Sequence, residues 1–316
     1  MGTMLQGRVA VITGAGRGIG RGIALEMAAQ GAKVVINDYG VKSDGTEPSS
    51  EPANEVVAEI KKGGGEAVAV ADTVATMAGG ARIVNTAIEK FGKIDILVTC
   101  AGILRDRMVF NMAEADFDAV IATHLKGTFT CVRAAVEPMR KQGYGRIIPF
   151  TSGAGLFGNP GQSNYGSAKS AIAGFTKTIA RDLGKYGVTC NAISPVAGTR
   201  MTLTQEYFRA REVRKAQGIV REERGVASIE DLSPDDVAPM AVYLASEEAA
   251  NVNGQIFLCA GPSYALVSHP RPVSTIYKDG RWTLDELEDL VPRTLMLGVA
   301  NPAPRRAEEK DTKKSA

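Results

Sequence analysis

A short apolar run, a glycine-rich turn and an amphipathic segment follow one another near the N-terminus, and this unit constrains the fold most. Residues 8–13 read RVAVIT, a β-branched run that predicts a buried strand. The turn TGAGRGIG follows at 13–20, and RGIALEMAAQ then shows helical apolar spacing up to Gly31. Glycines in a strand-to-helix turn let backbone N–H groups approach a pyrophosphate at the helix N-terminus. The unit therefore predicts a dinucleotide-binding βα motif.

The alternation of strand and helix patterns continues to about residue 259. Predicted strands lie at 8–13, 33–37, 66–71, 94–98, 145–150, 188–194 and 254–259, and predicted helices begin near 21, 53, 77, 114, 163 and 234. Such alternation is typical of a parallel sheet with helices on both faces. We expect an α/β chain with a doubly wound parallel seven-stranded sheet, a Rossmann fold, followed by a C-terminal extension.

Several polar or small residues stand directly after predicted strands. They are Gly14, Asp38, Ala101, Ser152 and Pro195. Ligands of open α/β sheets bind beyond the carboxyl ends of the strands, so one crevice can hold all five. Asp38 lies about 20 positions past the glycine turn, where a carboxylate can accept hydrogen bonds from ribose hydroxyls, although a turn aspartate is the alternative.

Tyr165 and Lys169 are four residues apart in a segment with helical spacing, SNYGSAKSAIAGFTKTIARDL, so both face the same way. A neighbouring ammonium favours the phenolate, which predicts a lowered tyrosine pKa and proton exchange with a carbonyl oxygen near neutral pH. Ser152 ends the strand run before this helix and can supply a second donor to the same oxygen. Y-x-x-x-K alone is frequent by chance, and its combination with the glycine turn is what indicates an active site.

Composition narrows the possible functions. The 316 residues are 44% hydrophobic and 23% charged, which is typical of a globular protein with an ample core. A net charge of +2 gives no reason to expect a nucleic-acid partner. The four cysteines are scattered and the two histidines lack metal-ligand spacing, so we expect core thiols, no metal and a reducing compartment. Without a signal peptide or an 18-residue apolar run, the chain is expected to be cytoplasmic with no membrane span.

The glycine spacing G-x-x-x-G-x-G and the Ser/Tyr/Lys set resemble the short-chain dehydrogenase/reductase family over about residues 5–261. Within the family, several stretches are similar to the (3R)-hydroxyacyl-CoA dehydrogenase part of peroxisomal multifunctional enzymes. They are VVINDYG, AGILRDR, the histidine-bearing THLKGTF, YGRII, GNPGQSNY and CNAISPVAGTRMT. No hydratase or sterol-carrier domain follows within this sequence, and the residues after Gly261 do not match.

The resemblance implies NAD-dependent hydride exchange with a secondary alcohol. Tyr165 would be the general acid/base, Lys169 would bind the nicotinamide ribose, and Ser152 would orient the substrate oxygen. The implied cofactor contacts are Gly14, Arg17, Gly18, Ile19, Gly20, Asp38, Asp72, Thr73, Cys100, Ala101, Gly102, Tyr165, Lys169, Pro195 and Ala197. Thr99 and Cys100 depart from the usual N-N-A-G. His124 stands where most relatives carry an asparagine, and it is either a replacement proton relay or a core histidine.

The substrate implied first is a 3-hydroxyacyl-CoA/3-oxoacyl-CoA pair, with a non-CoA ketone, aldehyde or steroid as the alternative. A non-catalytic NAD-binding sensor is a further alternative, although a sensor does not need the Ser/Tyr/Lys set. An arginine-rich segment follows strand six, with arginines at 200, 209, 211, 214, 221 and 224. It is either a rim that binds CoA phosphates or a solvated helix.

We expect three regions along the chain. Residues 1–261 form the dinucleotide-binding and catalytic domain, in which 200–228 cover the substrate. Residues 262–316 form a C-terminal extension with a short helix and a disordered tail. The family resemblance also implies a homo-oligomer, a dimer or tetramer, assembled through the helices corresponding to 114–140 and 164–187.

Overall fold

The structure is a computed structural model that describes residues 2–204, 208, 209, 212 and 228–303. The chain divides into two compact units, Met1–Val267 and Ser268–Ala316. Most of the predicted substrate-covering segment and the predicted disordered tail lie outside the described residues. The division falls after residue 267 because strand β9, Ser263–Leu266, pairs antiparallel with β8, Ile256–Ala260, and so belongs to the first unit.

Six parallel strands form the central sheet in the order β3-β2-β1-β4-β5-β6. Their bounds are β1 Val9–Thr13, β2 Lys33–Asn37, β3 Ala67–Val70, β4 Ile96–Thr99, β5 Gly145–Pro149 and β6 Val188–Cys190. All residues of β1, β4 and β5 are buried. Helices cover both faces of a parallel sheet, which explains why these strands read as continuous apolar runs rather than alternating ones.

The predicted strand 188–194 is divided in two at Asn191. Strand β7, Ala192–Val196, leaves the central sheet and pairs parallel with β8, while Phe150 keeps an isolated bridge to Ile193. Asn191 is the cause, because its Nδ2 donates to the Val252 carbonyl at 2.7 Å and its Oδ1 accepts from the Gln255 N–H at 3.0 Å. The predicted single sheet of seven strands is therefore a six-stranded parallel sheet with a three-stranded sheet, β7-β8-β9, beside it.

Two apolar layers flank the central sheet. The bounds of the helices in this unit are α1 Gly18–Ala29, α2 Glu51–Lys62, α3 Met77–Phe91, α4 Glu114–Ile121, α5 Gly127–Gln142, α6 Gly153–Phe157, α7 Ser163–Leu183 and α8 Ala238–Ala245. Residues of α1, α2 and α8 share one buried cluster with Ala10 and Ile12 of β1. Residues of α3, α5 and α7 share the other with Val9 and Val11. Successive side chains of β1 thus point to opposite faces of the sheet, as expected for a pleated strand.

The predicted helix 114–140 is not continuous. Ala122–Lys126 form a π-helical turn between α4 and α5, and the turn carries His124. Such turns insert an extra residue per turn and occur frequently at functional sites. The insertion changes the direction in which His124 points relative to a regular helix.

The second unit contains helix α9, Leu284–Arg293, which begins with a capping box between Thr283 and Glu286. Lys278 donates to both oxygens of Glu286 at 2.7 Å. Within 268–303, the described part of this unit, none of the residues is buried.

Candidate active site

A cleft of about 650 Å³ opens at the carboxyl ends of β1, β2, β3 and β4. Its walls are the turn before α1, the residues that follow β2, β3 and β4, and Gly198–Met201 after β7. The predicted cofactor residues on these walls are Gly14, Arg17, Gly18, Ile19, Gly20, Asp38, Asp72, Thr73, Cys100, Ala101 and Gly102. The other predicted cofactor contacts, Tyr165, Lys169, Pro195 and Ala197, are not among the described residues that line it. Gly198 and Thr199, which the sequence argument did not name, stand there instead.

Two glycines of the turn leave no room for a side chain, whereas a third faces open space. A Cβ on Gly14, whose φ is 66°, would lie 2.7 Å from the backbone of Ala101, and one on Gly20 would lie 2.3 Å from the Gly14 carbonyl oxygen. Gly18 has a φ of 52°, yet a Cβ there would meet nothing closer than Thr199 at 3.8 Å. Space is therefore left at the head of α1, whose first turn, GIGR, carries no acidic residue in the sequence. This geometry fits a bound pyrophosphate.

Asp38 lines the cleft beside the glycine turn, where backbone groups fix its side chain. Its two carboxylate oxygens accept hydrogen bonds from the Gly16 and Gly40 N–H groups, at 2.8 and 2.7 Å. Two arginines, Arg17 and Arg200, stand near it on the cleft wall. Partial burial, then the nearby Arg17 guanidinium, lowers the pKa of Arg200, and Asp38 opposes this effect. This part of the cleft thus combines the oriented carboxylate of Asp38 with the guanidinium groups of Arg17 and Arg200.

Asp72 and Thr73 follow β3 and also line the cleft. The Asp72 carboxylate is paired with Arg82 and accepts from the Thr73 N–H at 2.8 Å, and the Arg82 hydrogen bond is the main cause of its lowered pKa. Asn37 secures this turn by donating to the carbonyls of Val70 and Asp72 at 3.0 and 2.9 Å. The carboxylate therefore stays ionised beside the cleft.

Helix α7 brings Tyr165 and Lys169 together. Lys169 is 5% exposed, its Nζ lies 5.5 Å from the centre of the Tyr165 ring, and it donates to the Phe150 carbonyl at 2.7 Å. Burial lowers the pKa of Lys169 to about 8. Burial also raises the pKa of Tyr165 to about 12, and the Ser152 hydroxyl opposes that rise. The pKa of Tyr165 thus shifts in the opposite direction to the expected lowering, because desolvation is its largest cause and the Ser152 hydroxyl offsets it only in part.

Ser152 lies at the start of α6, where its side chain accepts from the Ala154 N–H at 3.3 Å. The preceding residue, Thr151, donates through its hydroxyl to the Lys169 carbonyl at 2.7 Å. The end of β5 is thereby tied to the middle of α7. The predicted Ser/Tyr/Lys set is brought together by one strand end and one helix.

His124 is 2% exposed, and its ring lies edge-on to Tyr165 with centroids 5.1 Å apart. Its Nε2 is 2.8 Å from the Ile103 carbonyl oxygen and 3.1 Å from the Ile103 N–H, while Nδ1 has no partner among the described residues. Burial, reinforced by Lys169, lowers the pKa of His124 to about 3. The ring is therefore neutral at physiological pH. Gly102 makes room for it, since a Cβ there would lie 2.3 Å from the imidazole.

Cys100 lines the cleft next to this group. Its N–H and that of Ala101 both lie 3.2 Å from the Thr13 hydroxyl, which joins the ends of β1 and β4. Burial raises the pKa of the Cys100 thiol to about 11, and Lys169 opposes the rise. Cys100 and Gly102 are thus the points at which the cleft adjoins the His124–Tyr165–Lys169 group.

Sequence reasoning missed two parts of the site. Tyr39, Val41 and Gly45 line the cleft and belong to the loop between β2 and α2, for which the sequence predicted no role. Asn164 is fully buried, and its Nδ2 donates to the Arg105 carbonyl at 2.9 Å. The two glycines of the loop and the AGILRDR motif are the sequence signals that could have indicated these roles.

Two classes of feature are absent from the described part of the chain. No three His, Cys, Asp or Glu side chains there come together as metal ligands. No helix in the same residues has the length and apolar character needed to cross a bilayer.

Comparison with known proteins agrees with this geometry. Residues 8–211 match the family described as short chain dehydrogenase. The chain is 40% identical over 294 residues to hydroxyacyl-CoA dehydrogenase ChsB1 of Mycobacterium tuberculosis, covering 90% of this chain and 87% of that protein. It is 43% identical over 255 residues to peroxisomal multifunctional enzyme type 2 of Drosophila melanogaster, covering 81% of this chain but 39% of the fly enzyme.

The crystal structure of a short chain dehydrogenase from Mycobacterium avium superposes with a TM-score of 0.78 at 41% identity, over 95% of this chain and 98% of that one. Sequence and fold therefore lead to the same assignment. The chain is an oxidoreductase that belongs to the short-chain dehydrogenase/reductase family.

Proposed function

We propose that this protein uses NAD(H) to interconvert a secondary alcohol and a ketone, and that the pair is a 3-hydroxyacyl-CoA and a 3-oxoacyl-CoA. Members of the family generally use NAD or NADP. The observation that carries the proposal is the position of Tyr165, which lies against Lys169 and His124. His124 in turn meets Gly102, which lines a cleft whose open glycine turn fits a pyrophosphate. A bound nicotinamide would supply or accept the hydride.

Tyr165 is the proton donor to the substrate oxygen in the reductive direction. Because burial holds its pKa at about 12, the phenol is protonated at neutral pH and ready to donate. The Ser152 hydroxyl is a second hydrogen-bond donor to the same oxygen, and two donors stabilise the negative charge that develops there. In the oxidative direction the same phenol must first lose its proton, so a proton path away from Tyr165 is needed.

Lys169 and His124 provide that path in our proposal. With a pKa of about 8, Lys169 can gain or lose a proton near neutral pH at a small free-energy cost. The neutral His124 ring can donate from Nε2 to the Ile103 carbonyl, which leaves Nδ1 as a buried acceptor for a water molecule. The histidine then orients this water by a hydrogen bond and carries no proton itself.

Asp38 supports NAD as the cofactor. Its carboxylate is oriented by two backbone N–H groups, so a 2′-phosphate nearby would meet a fixed like charge that costs roughly 2 kcal/mol. Arg17 and Arg200 work in the opposite direction. We propose that Asp38 dominates, since its geometry is held by the backbone whereas Arg17 and Arg200 are exposed. Comparable catalytic efficiencies with NADH and NADPH would contradict this choice.

A CoA thioester is the substrate supported by the similarity to a hydroxyacyl-CoA dehydrogenase and by the arginine-rich segment after β7. Arg200 and Arg209 belong to the described part of that segment, whereas residues 211, 214, 221 and 224 lie outside it. Guanidinium groups suit phosphate oxygens, which a CoA ester carries and a simple ketone lacks. A non-CoA ketone, aldehyde or steroid stays the alternative, and the sensor alternative falls because the chain is an oxidoreductase.

One assay decides between these substrates. The protein is mixed with NADH and either acetoacetyl-CoA or a panel of free ketones, and NADH oxidation is followed by absorbance. We expect the highest catalytic efficiency with the CoA thioester. Higher efficiency with any free ketone in the panel would overturn the CoA assignment while leaving the oxidoreductase activity in place.

A further inference from the structure

Residues 39–49, which we call the 39–49 loop, form a structured unit rather than an irregular connection. The Ser49 N–H donates to the Tyr39 carbonyl at 3.1 Å and closes the base of the loop. Inside it, the Thr46 carbonyl accepts from the Lys42 N–H at 2.8 Å, and the Asp44 carboxylate accepts from the N–H and hydroxyl of Thr46. Compact loops with closed ends and internal contacts of this kind frequently serve a function.

The base of the loop requires glycine. Gly40 has a φ of 68°, and a Cβ there would lie 1.7 Å from the Ser49 carbonyl oxygen. The same Gly40 N–H binds Asp38. The loop is therefore fixed at its base directly beside the carboxylate that closes the dinucleotide cleft.

The loop crosses the mouth of the cleft. It leaves β2, yet the Ser43 carbonyl accepts from the Leu104 N–H at 2.8 Å, and residue 104 follows β4. Since β1 lies between β2 and β4 in the sheet, the contact spans the end of β1 and the glycine turn above it. Gly45 packs here, because a Cβ on it would lie 3.2 Å from the Ile103 side chain.

Two arginines, one in the segment after β4 and one in the segment after β7, bind carbonyl groups of the loop. The Arg105 Nε donates to the Asp44 carbonyl at 2.9 Å, and the Arg200 Nη2 donates to the Val41 carbonyl at 3.1 Å. Both arginines also line the cleft. Each arginine therefore connects the loop, which follows β2, to a cleft-lining segment that follows another strand.

We propose that the 39–49 loop is a lid on the dinucleotide cleft, and that Arg105 and Arg200 are the positioning residues that hold it closed. The inference rests on the proposed dinucleotide site. With the lid closed, a ligand that reaches Asp38 is enclosed by the loop and both arginines. Entry and release then require the two carbonyl contacts to break, so these arginines control how fast the cofactor leaves.

Arg105 can be tested without disturbing the catalytic helix. Its backbone carbonyl, not its side chain, accepts from Asn164, the residue before Tyr165. The side chain makes one further set of contacts, at 3.5 Å to the Asp116 carboxylate and to the Ala115 carbonyl. Replacing the guanidinium therefore leaves the support of α7 in place. Arg107 is a matched control, since its Nη1 donates to the neighbouring Asp106 carbonyl at 2.8 Å and it does not line the cleft among the described residues.

The experiment measures release of NADH by stopped-flow fluorescence from Arg105→Met, Arg200→Met, Arg107→Met and the unchanged protein, each chased with excess NAD. We expect the dissociation rate to rise about tenfold in Arg105→Met and in Arg200→Met, as for a lost charge-assisted hydrogen bond. Arg107→Met should stay within about twofold of the unchanged protein, as expected for a surface change. Arg105→Lys, which keeps a donor, should recover part of the slow release.

Amide hydrogen exchange is a second measurement of loop opening, and its comparison among the variants needs no ligand. Peptides covering 39–49 should exchange faster in Arg105→Met and Arg200→Met, and NADH should slow their exchange in the unchanged protein. Failure of the unchanged protein to bind NADH would sink the proposed function. Normal NADH binding, with release rates and loop exchange identical in all variants, would instead overturn the lid alone.

Discussion

Tyr165 and Lys169 depart in opposite directions from their ordinary pKa values, and burial causes both departures. The pKa of the phenol is raised to about 12 and that of the ammonium is lowered to about 8. Both changes favour the uncharged form of the side chain. The pair is therefore prepared to donate a proton from Tyr165 and to exchange one at Lys169 near neutral pH.

Tyr165→Phe removes the proposed proton donor while it keeps the ring that packs against His124. We expect turnover to fall at least about 10²-fold, the usual scale for a lost general acid, with NADH affinity retained. Steady-state kinetics and fluorescence titration with NADH measure the two quantities. Tyr277→Phe, an exposed tyrosine in the second unit, is the control and should change neither. Near-native turnover of Tyr165→Phe would remove Tyr165 from the mechanism.

Lys169 should give the stability of the protein a pH dependence that Lys169→Met lacks. Between pH 8 and 10.5 the unfolded chain holds the proton and the folded chain releases it, so the free energy of unfolding rises with pH in this window. Below pH 8 both states are protonated, and the cost of the buried charge is fully present. Urea denaturation of both proteins should show the stability difference shifting in favour of the wild type by up to roughly 3 kcal/mol. A difference that is constant across pH 7.5–10.5 would contradict the buried ammonium.

Gly102→Ala tests how closely His124 is held. The added Cβ would lie 2.3 Å from the imidazole, so either the ring or the backbone must move. We expect a loss of about 1–3 kcal/mol in the free energy of unfolding, as for other overpacked sites. His124→Ala made in the Gly102→Ala background should cost less than His124→Ala alone, because the clash has gone. Additive effects in this double-mutant cycle would show that the two residues do not meet.

At the scale of elements, Asn191 decides where the central sheet ends. Its side chain satisfies a donor and an acceptor of the segment before β8, and it is 1% exposed. The chain consequently passes from pairing with β5 to pairing with β8 within a single residue. This step directs the residues that follow β7, Gly198–Met201, to the wall of the cleft.

Asn191→Ala should destabilise the protein by roughly 2 kcal/mol, because the Val252 carbonyl and the Gln255 N–H lose their buried partner. Thermal or chemical denaturation measures the loss. Asn85→Ala, at an exposed position of α3, is the matched control and should lie within about 0.5 kcal/mol of the unchanged protein. Equal stabilities of the two variants would show that the step between the sheets does not depend on this side chain.

The sequence predicted those elements whose signal is local. The buried strands read as continuous apolar runs, and the α/β fold, with its dinucleotide turn, followed from them. The division at Asn191 could not be read locally, since its partners lie about sixty residues later in the chain. The π-helical turn at His124 was not predicted, because the apolar spacing of 114–140 is that of one continuous helix. The rise in the Tyr165 pKa was missed because burial is a property of the folded site rather than of the Y-x-x-x-K spacing.

For the whole molecule, we predict self-association through α4, α5 and α7. Phe117 of α4 and Phe129 of α5 are 39% and 43% exposed on the single chain, and a partner subunit would remove this apolar surface from water. Light scattering coupled to gel filtration should give two or four times the 33.3 kDa chain mass. A mass near that of one chain would contradict the prediction.

The four thiols of the molecule share one chemical consequence of burial. With its pKa at about 11, Cys100 is ionised at pH 7 in only on the order of one molecule in 10⁴, and burial raises the pKa values of Cys131, Cys190 and Cys259 as well. The thiolate is the nucleophile that reacts with peroxide and alkylating agents, so the Cys100 sulfur reacts slowly although it lines the cleft. This oxidoreductase thus holds a cysteine on the wall of its cleft as an unreactive thiol, protected from oxidation by its own burial.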